Sequence, residues 1–227
     1  GRVPISSIPS YALGMKTVAL LLSAGHGSRF GAARPKQFLP LLGRPVLRHA
    51  AEALLAEGLV AALQPVAPAG EETFVASLLE GLPCLPVVAG GATRQDSVRA
   101  GLEAIAAEAP DYVLVHDAAR PVIPRGTIPA LLTALEAHAG AIPAQPVADT
   151  LKRVAGGLIE TTVPREGLFR AQNPQAFRFE ALRAAHAARA GAVTDDASLL
   201  EALGQAVAIV PGSELSLIHI SEPTRPY

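Results

Sequence analysis

The run Val18-Ala19-Leu20-Leu21-Leu22 is short and continuously apolar, and it opens directly into a loop, residues 23–37, rich in glycine and carrying cations. A strand that tolerates no polar residue on either face is buried on both, which points to a parallel sheet between layers of helix. In such sheets ligands bind at the carboxyl ends of the strands, where this loop lies. Gly25, Gly27 and Gly31 let the backbone come close to an anion and aim N–H groups at it, while Arg29 and Lys36 add positive charge and Pro35 stiffens the approach to Lys36. The arrangement suits the triphosphate of a nucleotide. Two commoner glycine loops fail on spacing. A dinucleotide fingerprint needs glycine where Phe30 stands, and a Walker loop needs a lysine and a hydroxyl where Ala32 and Ala33 follow Gly31. On these residues alone, a glycine-rich turn with solvated cations stays open as the alternative.

The rest of the chain alternates in the same sense. Strand-like runs at 17–22, 64–67, 85–88, 112–115, 141–146 and 206–210 interleave with helical periods at 46–56, 71–79, 97–107, 127–137 and 180–188. This predicts one α/β domain with a mostly parallel sheet between helices. Residues 149–170 break the pattern: Thr150, Lys152, Thr161 and Thr162 flank the Ala155-Gly156-Gly157 turn and predict a projecting β-hairpin. The 227 residues suffice for a sizeable core, and a net charge of −1 without a basic tract argues against a nucleic-acid binder. No segment reaches the roughly 18 apolar residues of a membrane helix, so a soluble protein is expected. Cys84 is the single cysteine. It excludes an internal disulfide, fits a reducing cytoplasm and reads as a small core filler. Nothing supports a Cys/His metal site.

Three further motifs bear on chemistry. In Gly90-Gly91-Ala92-Thr93-Arg94-Gln95-Asp96-Ser97, two glycines precede a helix for which Thr93 and Asp96 can form a capping box; by itself this is a well-capped helix start, and such a start also suits a base or a phosphate. In His116-Asp117-Ala118-Ala119-Arg120-Pro121 an acid follows a buried strand at the same sheet edge as the glycine loop. Asp117 can contact a magnesium–water shell or sugar hydroxyls, or cap the next turn; Arg120 can hold a phosphate or pair with Asp117. His116 reads as a packed histidine without a proton-transfer role. Thr194-Asp195-Asp196 reads as a helix cap with a supporting role.

These strings, AGHGSRFG with PKQFLPLLGRPVL, GGATRQDSVRAGL, VLVHDAARP, PVADTLKRV, PREGLFRAQNPQAF and VTDDASLLEALG, resemble in order and spacing the 2-C-methyl-D-erythritol 4-phosphate cytidylyltransferase family, over residues 16–213. The resemblance implies a single Rossmann-like nucleotidyltransferase domain with a projecting β-arm that embraces a second subunit of a homodimer. It implies CTP and methylerythritol phosphate as substrates, magnesium as cofactor, and in-line attack of the acceptor phosphate on the α-phosphorus of CTP. On this reading Arg29, Lys36 and Arg165 carry the chemistry, and Ala24, Gly25, Gly27, Gly91, Arg94 and Ser97 bind the nucleotide. Asp117, Ala118, Arg120, Thr150 and Arg165 bind the acceptor, with Asp117 also a magnesium contact. Two departures stand out: Ala92 occupies a position where the family often carries an acid, and Asn173 one where most members carry threonine. A cytidylyltransferase for another polyol phosphate, such as ribitol 5-phosphate, and a non-catalytic nucleotide-binding relic are the alternatives.

Both ends look foreign to this pattern. Residues 1–14 read as a non-native or upstream extension before Met15, and residues 15–214 as the cytidylyltransferase domain. Residues 215–227 read as an artefactual tail, since LSLIHISEPTR resembles a translated sequencing adapter. The resemblance then implies a missing ending with a lysine-bearing strand, and leaves room for a fused cyclase domain in the parent protein.

Overall fold

The computed structural model describes residues 14–24, 35–188 and 195–214. Among them, twelve strands and six helices follow one another as β1 (Thr17–Leu22), β2 (Pro40–Leu41), β3 (Arg44–Pro45), α1 (Val46–Leu55), β4 (Ala62–Ala67), α2 (Glu72–Leu78), β5 (Val88–Ala89), α3 (Arg94–Ala104), β6 (Tyr112–Asp117), α4 (Thr127–Ala134), β7 (Gly140–Pro146), β8 (Leu151–Ala155), β9 (Leu158–Val163), β10 (Phe169–Ala171), β11 (Gln175–Arg178), α5 (Phe179–Ala188), α6 (Ala197–Ala202) and β12 (Val207–Pro211). The main sheet runs β10-β7-β11-β6-β1-β4-β5, with β12 on β7. β1 lies inside it, paired in parallel with β4 on one side and β6 on the other. Its side chains alternate between two cores: Ala19 and Leu21 meet α1 and α4, whereas Val18, Leu20 and Leu22 belong with α3, α5 and α6. Burial on both faces is what its unbroken apolar run required.

The expected mostly parallel sheet between helices is present, with antiparallel strands in the half that runs from β10 to β6. β10 and β11 run antiparallel, and β11 wedges between β6 and β7. The four residues Gln175–Arg178, directly after Pro174, carry too short a pattern to announce a central strand. The apolar run at 85–88 meets the β4 backbone only at its two ends, Leu85 N donating to the Leu63 carbonyl at 2.8 Å and Val88–Ala89 forming the ladder, because Pro86 between them offers no N–H. α3 begins at Arg94, three residues earlier than its apolar period, because the capping box sets its start. β8 and β9 form a separate two-stranded sheet turning at Gly156 and Gly157, as the sequence of the arm predicted. Cys84 packs half-buried against the α1 core; burial pushes its thiol pKa up, against a smaller opposing effect of Arg48, so it behaves as the expected filler.

Candidate active site

Parallel register sets the site. Leu22 lies beside Val66 and Asp117, and Val66 beside Val88, so the segments leaving β1, β5 and β6 meet at one edge of the sheet. They enclose a cavity of about 480 Å³ walled by Leu22, Ala24, Lys36, Gln37, Gly91, Ala92, Thr93, Arg94, Ser97, Asp117 and Ala119.

Each wall is fixed by local contacts. Ser23 donates through both N and Oγ to the carbonyl of Val66, each at 2.9 Å, tying the exit of β1 to β4. Pro35 leads in extended backbone into a single 3-10 turn, Lys36–Phe38. Two buried anchors hold that turn: Gln37 Nε2 donates to the Ser23 carbonyl at 2.6 Å, and the Phe38 ring meets Phe74 edge-on with centroids 5.4 Å apart. With its neighbours turned inward, Lys36 is left on the cavity wall.

Opposite stands the Gly90-Gly91 turn. A Cβ on Gly90 would lie 2.4 Å from Ala24 Cβ and 2.7 Å from Ser97 Oγ, and one on Gly91 would lie 2.2 Å from Asp96 Cβ. Close approach, not an unusual backbone angle, demands glycine here. The capping box is complete: Asp96 N donates to Thr93 Oγ1 at 3.0 Å, and Thr93 N donates back to Asp96 Oδ2 at 3.2 Å. A hydrogen bond from the Thr93 hydroxyl holds the Asp96 carboxyl below its ordinary pKa. Ser97 Oγ accepts from Gly91 N at 3.2 Å and donates to the Thr93 carbonyl at 2.9 Å, which fixes the turn against α3.

The floor is charged. Asp117 Oδ1 accepts from Arg94 Nε at 3.3 Å, and Oδ2 from Arg120 Nε at 3.4 Å and Asn173 Nδ2 at 2.9 Å. Arg94 extends further, donating from Nη1 to Asp196 Oδ2 at 2.7 Å, and His186 Nε2 donates to Asp196 Oδ1 at 3.0 Å. Burial opposes the charge on Arg94, but the two carboxylates outweigh it and raise its pKa. Burial likewise opposes the charge on Asp196, yet the bonds from His186 and Arg94 hold that carboxyl below the usual range. Arg120 Nη1 and Asn173 Oδ1 are buried and have no hydrogen-bond partner among the described residues.

His116 is fully buried, with Nε2 donating to the Arg120 carbonyl at 2.9 Å. It therefore braces the turn that carries Asp117 and Arg120. Burial depresses its pKa from 6.5 to about 4, so it is neutral at pH 7. The unfolded chain takes up a proton near pH 6.5 and the folded one only near 4; stability from the neutral ring is whole above 6.5 and falls as pH drops towards 4. We expect about 2 kcal/mol to be lost between pH 7 and pH 5. Urea midpoints at the two pH values check this, and a His116→Gln variant should lose distinctly less; equal losses would refute the assignment.

Comparison with known proteins assigns the chain to a family. The family model described as "IspD: 2-C-methyl-D-erythritol 4-phosphate cytidylyltransferase" matches residues 17–224. The chain belongs to this family. A Granulibacter bethesdensis protein named bifunctional enzyme IspD/IspF is 58% identical over 200 residues, which cover 88% of this chain and 52% of that one. The chain thus spans about half the length of the first curated relatives it matches. A Cereibacter sphaeroides 2-C-methyl-D-erythritol 4-phosphate cytidylyltransferase is 46% identical over 206 residues, 89% of this chain and 91% of that one. The crystal structure of the cytidylyltransferase of the same name from Thermus thermophilus superposes with a TM-score of 0.74 at 35% identity, covering 92% of this chain and 94% of that one.

Of the positions the family resemblance singled out, Ala24, Lys36, Gly91, Arg94, Ser97 and Asp117 come together on the cavity wall. Arg120 lies behind Asp117 and pairs with it. Ala118 is fully buried, its N donating to the Leu22 carbonyl at 2.9 Å, and Ala119 is the alanine on the wall. Thr150 and Arg165 sit exposed at the base of the arm and do not line the cavity, with Arg165 Nη1 donating to the Ala148 carbonyl. Gly25, Gly27, Arg29 and Gly31 lie outside the described residues. In the Thr194-Asp195-Asp196 string, where Thr194 is also outside them, the cap is made by Asp195, which accepts from Ser198 N at 3.1 Å. Asp196 makes no cap bond and turns inward to Arg94 and His186. Sequence reasoning missed that inward turn, and it missed Gln37 as an anchor; no local pattern separates a buried acid or amide from a surface one.

Proposed function

We propose that this domain transfers CMP from CTP to 2-C-methyl-D-erythritol 4-phosphate, giving 4-diphosphocytidyl-2-C-methyl-D-erythritol and pyrophosphate. The observation that carries the reading is the gathering of Lys36, Gly91, Arg94, Ser97 and Asp117 around one cavity at the carboxyl ends of β1, β5 and β6. An acceptor phosphate oxygen attacks the α-phosphorus in line, a new P–O bond forms, and the bond to the departing pyrophosphate breaks. A phosphate monoester is already anionic at neutral pH and needs no general base. The barrier is electrostatic, so positioning and fixed positive charge supply most of the acceleration. Lys36, with Arg29, takes the triphosphate charge, and the Gly90-Gly91 turn with Ser97 takes the cytidine. Asp117 faces the acceptor. The buried, unpartnered Arg120 Nη1 and Asn173 Oδ1 beside it support a polar ligand there.

Magnesium belongs to this reading as an ion shared with the triphosphate. Among the described residues no group of three His, Cys, Asp or Glu side chains could cage a metal, and Asp117 is the one carboxylate on the wall. A single carboxylate suits a magnesium ion that takes its other ligands from phosphates and water. When bound, the ion would neutralise phosphate charge. No described helix is long and apolar enough to cross a membrane, and a cytoplasmic setting fits the lone cysteine. The bifunctional names of several relatives support a fused second domain in the parent protein.

Assembly is part of the proposal. Val154, Leu158 and Ile159 at the arm tip are 55–75% exposed, and a hairpin alone is marginally stable in water. A second copy covers that tip in a homodimer, bringing Thr150 and Arg165 to a shared or adjacent site. Replacing residues 151–163 by a short glycine link is expected to give a monomer by sedimentation, with turnover reduced at least tenfold; a fully active monomer would overturn it. The reaction itself is tested by pyrophosphate release from CTP with methylerythritol phosphate or ribitol 5-phosphate as acceptor. Release with the first supports the reading, release only with the second replaces it, and CTP binding without release favours a relic.

A further inference from the structure

Asp196 is a buried carboxylate with an unusual address. It occupies the N-cap position of α6, yet Asp195 does the capping, so helix ends do not explain why Asp196 is held 99% out of solvent. Burying an ion is costly unless it is paired and hydrogen-bonded. Asp196 satisfies both conditions by accepting from Arg94 Nη1 at 2.7 Å and His186 Nε2 at 3.0 Å, across 102 and 10 residues of sequence respectively. His186 is buried with it. The guanidinium it grips reaches the cavity wall, where its Nε makes a longer 3.3 Å contact with Asp117.

The two contacts of Arg94 are unequal, and that inequality has a consequence. Asp117 is one-third exposed and faces the cavity, so a ligand can compete with it for Arg94; Asp196 is enclosed and cannot be displaced by solvent or substrate. Without Asp196, Arg94 would keep a single carboxylate partner and close onto Asp117. The closed pair would occupy the space and the charge that a nucleotide needs. We infer that Asp196, seated by His186, is a positioning residue for CTP: it acts through Arg94, holding the guanidinium back from Asp117 and open to the anionic nucleotide. This rests on the proposed cytidylyl transfer.

The test is a double-mutant cycle read by CTP affinity in calorimetry, with pyrophosphate release measured alongside. Asp196→Asn keeps the shape and removes the charge. It is expected to weaken CTP binding tenfold or more and to raise KM for CTP likewise, with kcat at saturation changed less than threefold. In an Arg94→Ala background the same change should alter CTP affinity less than twofold. Additive losses in the two backgrounds, or a fall in kcat with KM unchanged, would mean that Asp196 merely stabilises the fold and would overturn the inference. Should Asp196→Asn fail to fold, His186→Leu removes the seat more gently; a threefold or larger loss of affinity that disappears with Arg94→Ala supports the inference, and an unchanged affinity refutes it. Wild-type protein that does not bind CTP would overturn the proposed reaction and this inference together, whereas wild-type binding with additive variants overturns the inference alone.

Discussion

Lys36→Ala is expected to lower pyrophosphate release by roughly a hundredfold or more, as for the loss of one preorganised charge. The physical basis is the way the Lys36–Phe38 turn is held. Gln37 is bonded to the Ser23 carbonyl and Phe38 is packed on Phe74, so the lysine is delivered to the cavity by neighbours that do not depend on it. Folding should therefore survive, with an unchanged thermal midpoint. Because the charge matters most as electrons move to the departing pyrophosphate, kcat should fall more than KM for CTP rises. Arg29→Ala is expected to behave alike. Near-normal turnover in the Lys36 variant would leave only a glycine-rich turn with a solvated cation.

Gly90→Ala should be comparably damaging for a steric reason. The added methyl would stand 2.4 Å from Ala24 Cβ, 2.7 Å from Ser97 Oγ and 3.3 Å from the Ala67 carbonyl, and the first and last of these belong to groups that cannot rotate away. Gly90 N also donates to that carbonyl at 2.8 Å, so relief by shifting the turn would break a ladder bond. Overpacking of this kind costs about 1–3 kcal/mol of stability. It would also push the exit of β1 away from the start of α3, displacing the nucleotide walls by a good fraction of an ångström and lowering kcat/KM for CTP by up to about a hundredfold. Denaturant midpoints and CTP titrations would both register the change. A variant with unaltered stability and affinity would show that the two walls are not in contact.

Lys36 and Gly90 differ in how much of their setting is legible in the sequence. Glycines and cations after an apolar strand mark Lys36 as a candidate without any coordinates, because strand direction in a parallel sheet puts that loop at the ligand edge. The need for glycine at position 90 is invisible in one dimension, since nothing in Val-Ala-Gly-Gly says that Ala24 and Ser97 approach it. The arm shows the same division. A Gly-Gly turn between β-prone residues predicts the hairpin, but the exposure of Val154, Leu158 and Ile159 had to be seen.

What the sequence determined by itself was whatever is encoded locally or by direction: the doubly buried β1, the alternation of strand and helix, the capping box of Thr93 and Asp96, the hairpin, and the order of motifs that marks the family. These depend on periodicity, caps and turns, each of which spans a few residues. What only the tertiary structure decided was pairing across long separations. β11 enters between β6 and β7 on four residues, Asn173 bonds Asp117, and Asp196 leaves its cap to grip Arg94. A carboxylate has the same local sequence whether it caps a helix in water or is buried against a guanidinium. The choice is set by desolvation, which depends on what the rest of the chain brings to the spot.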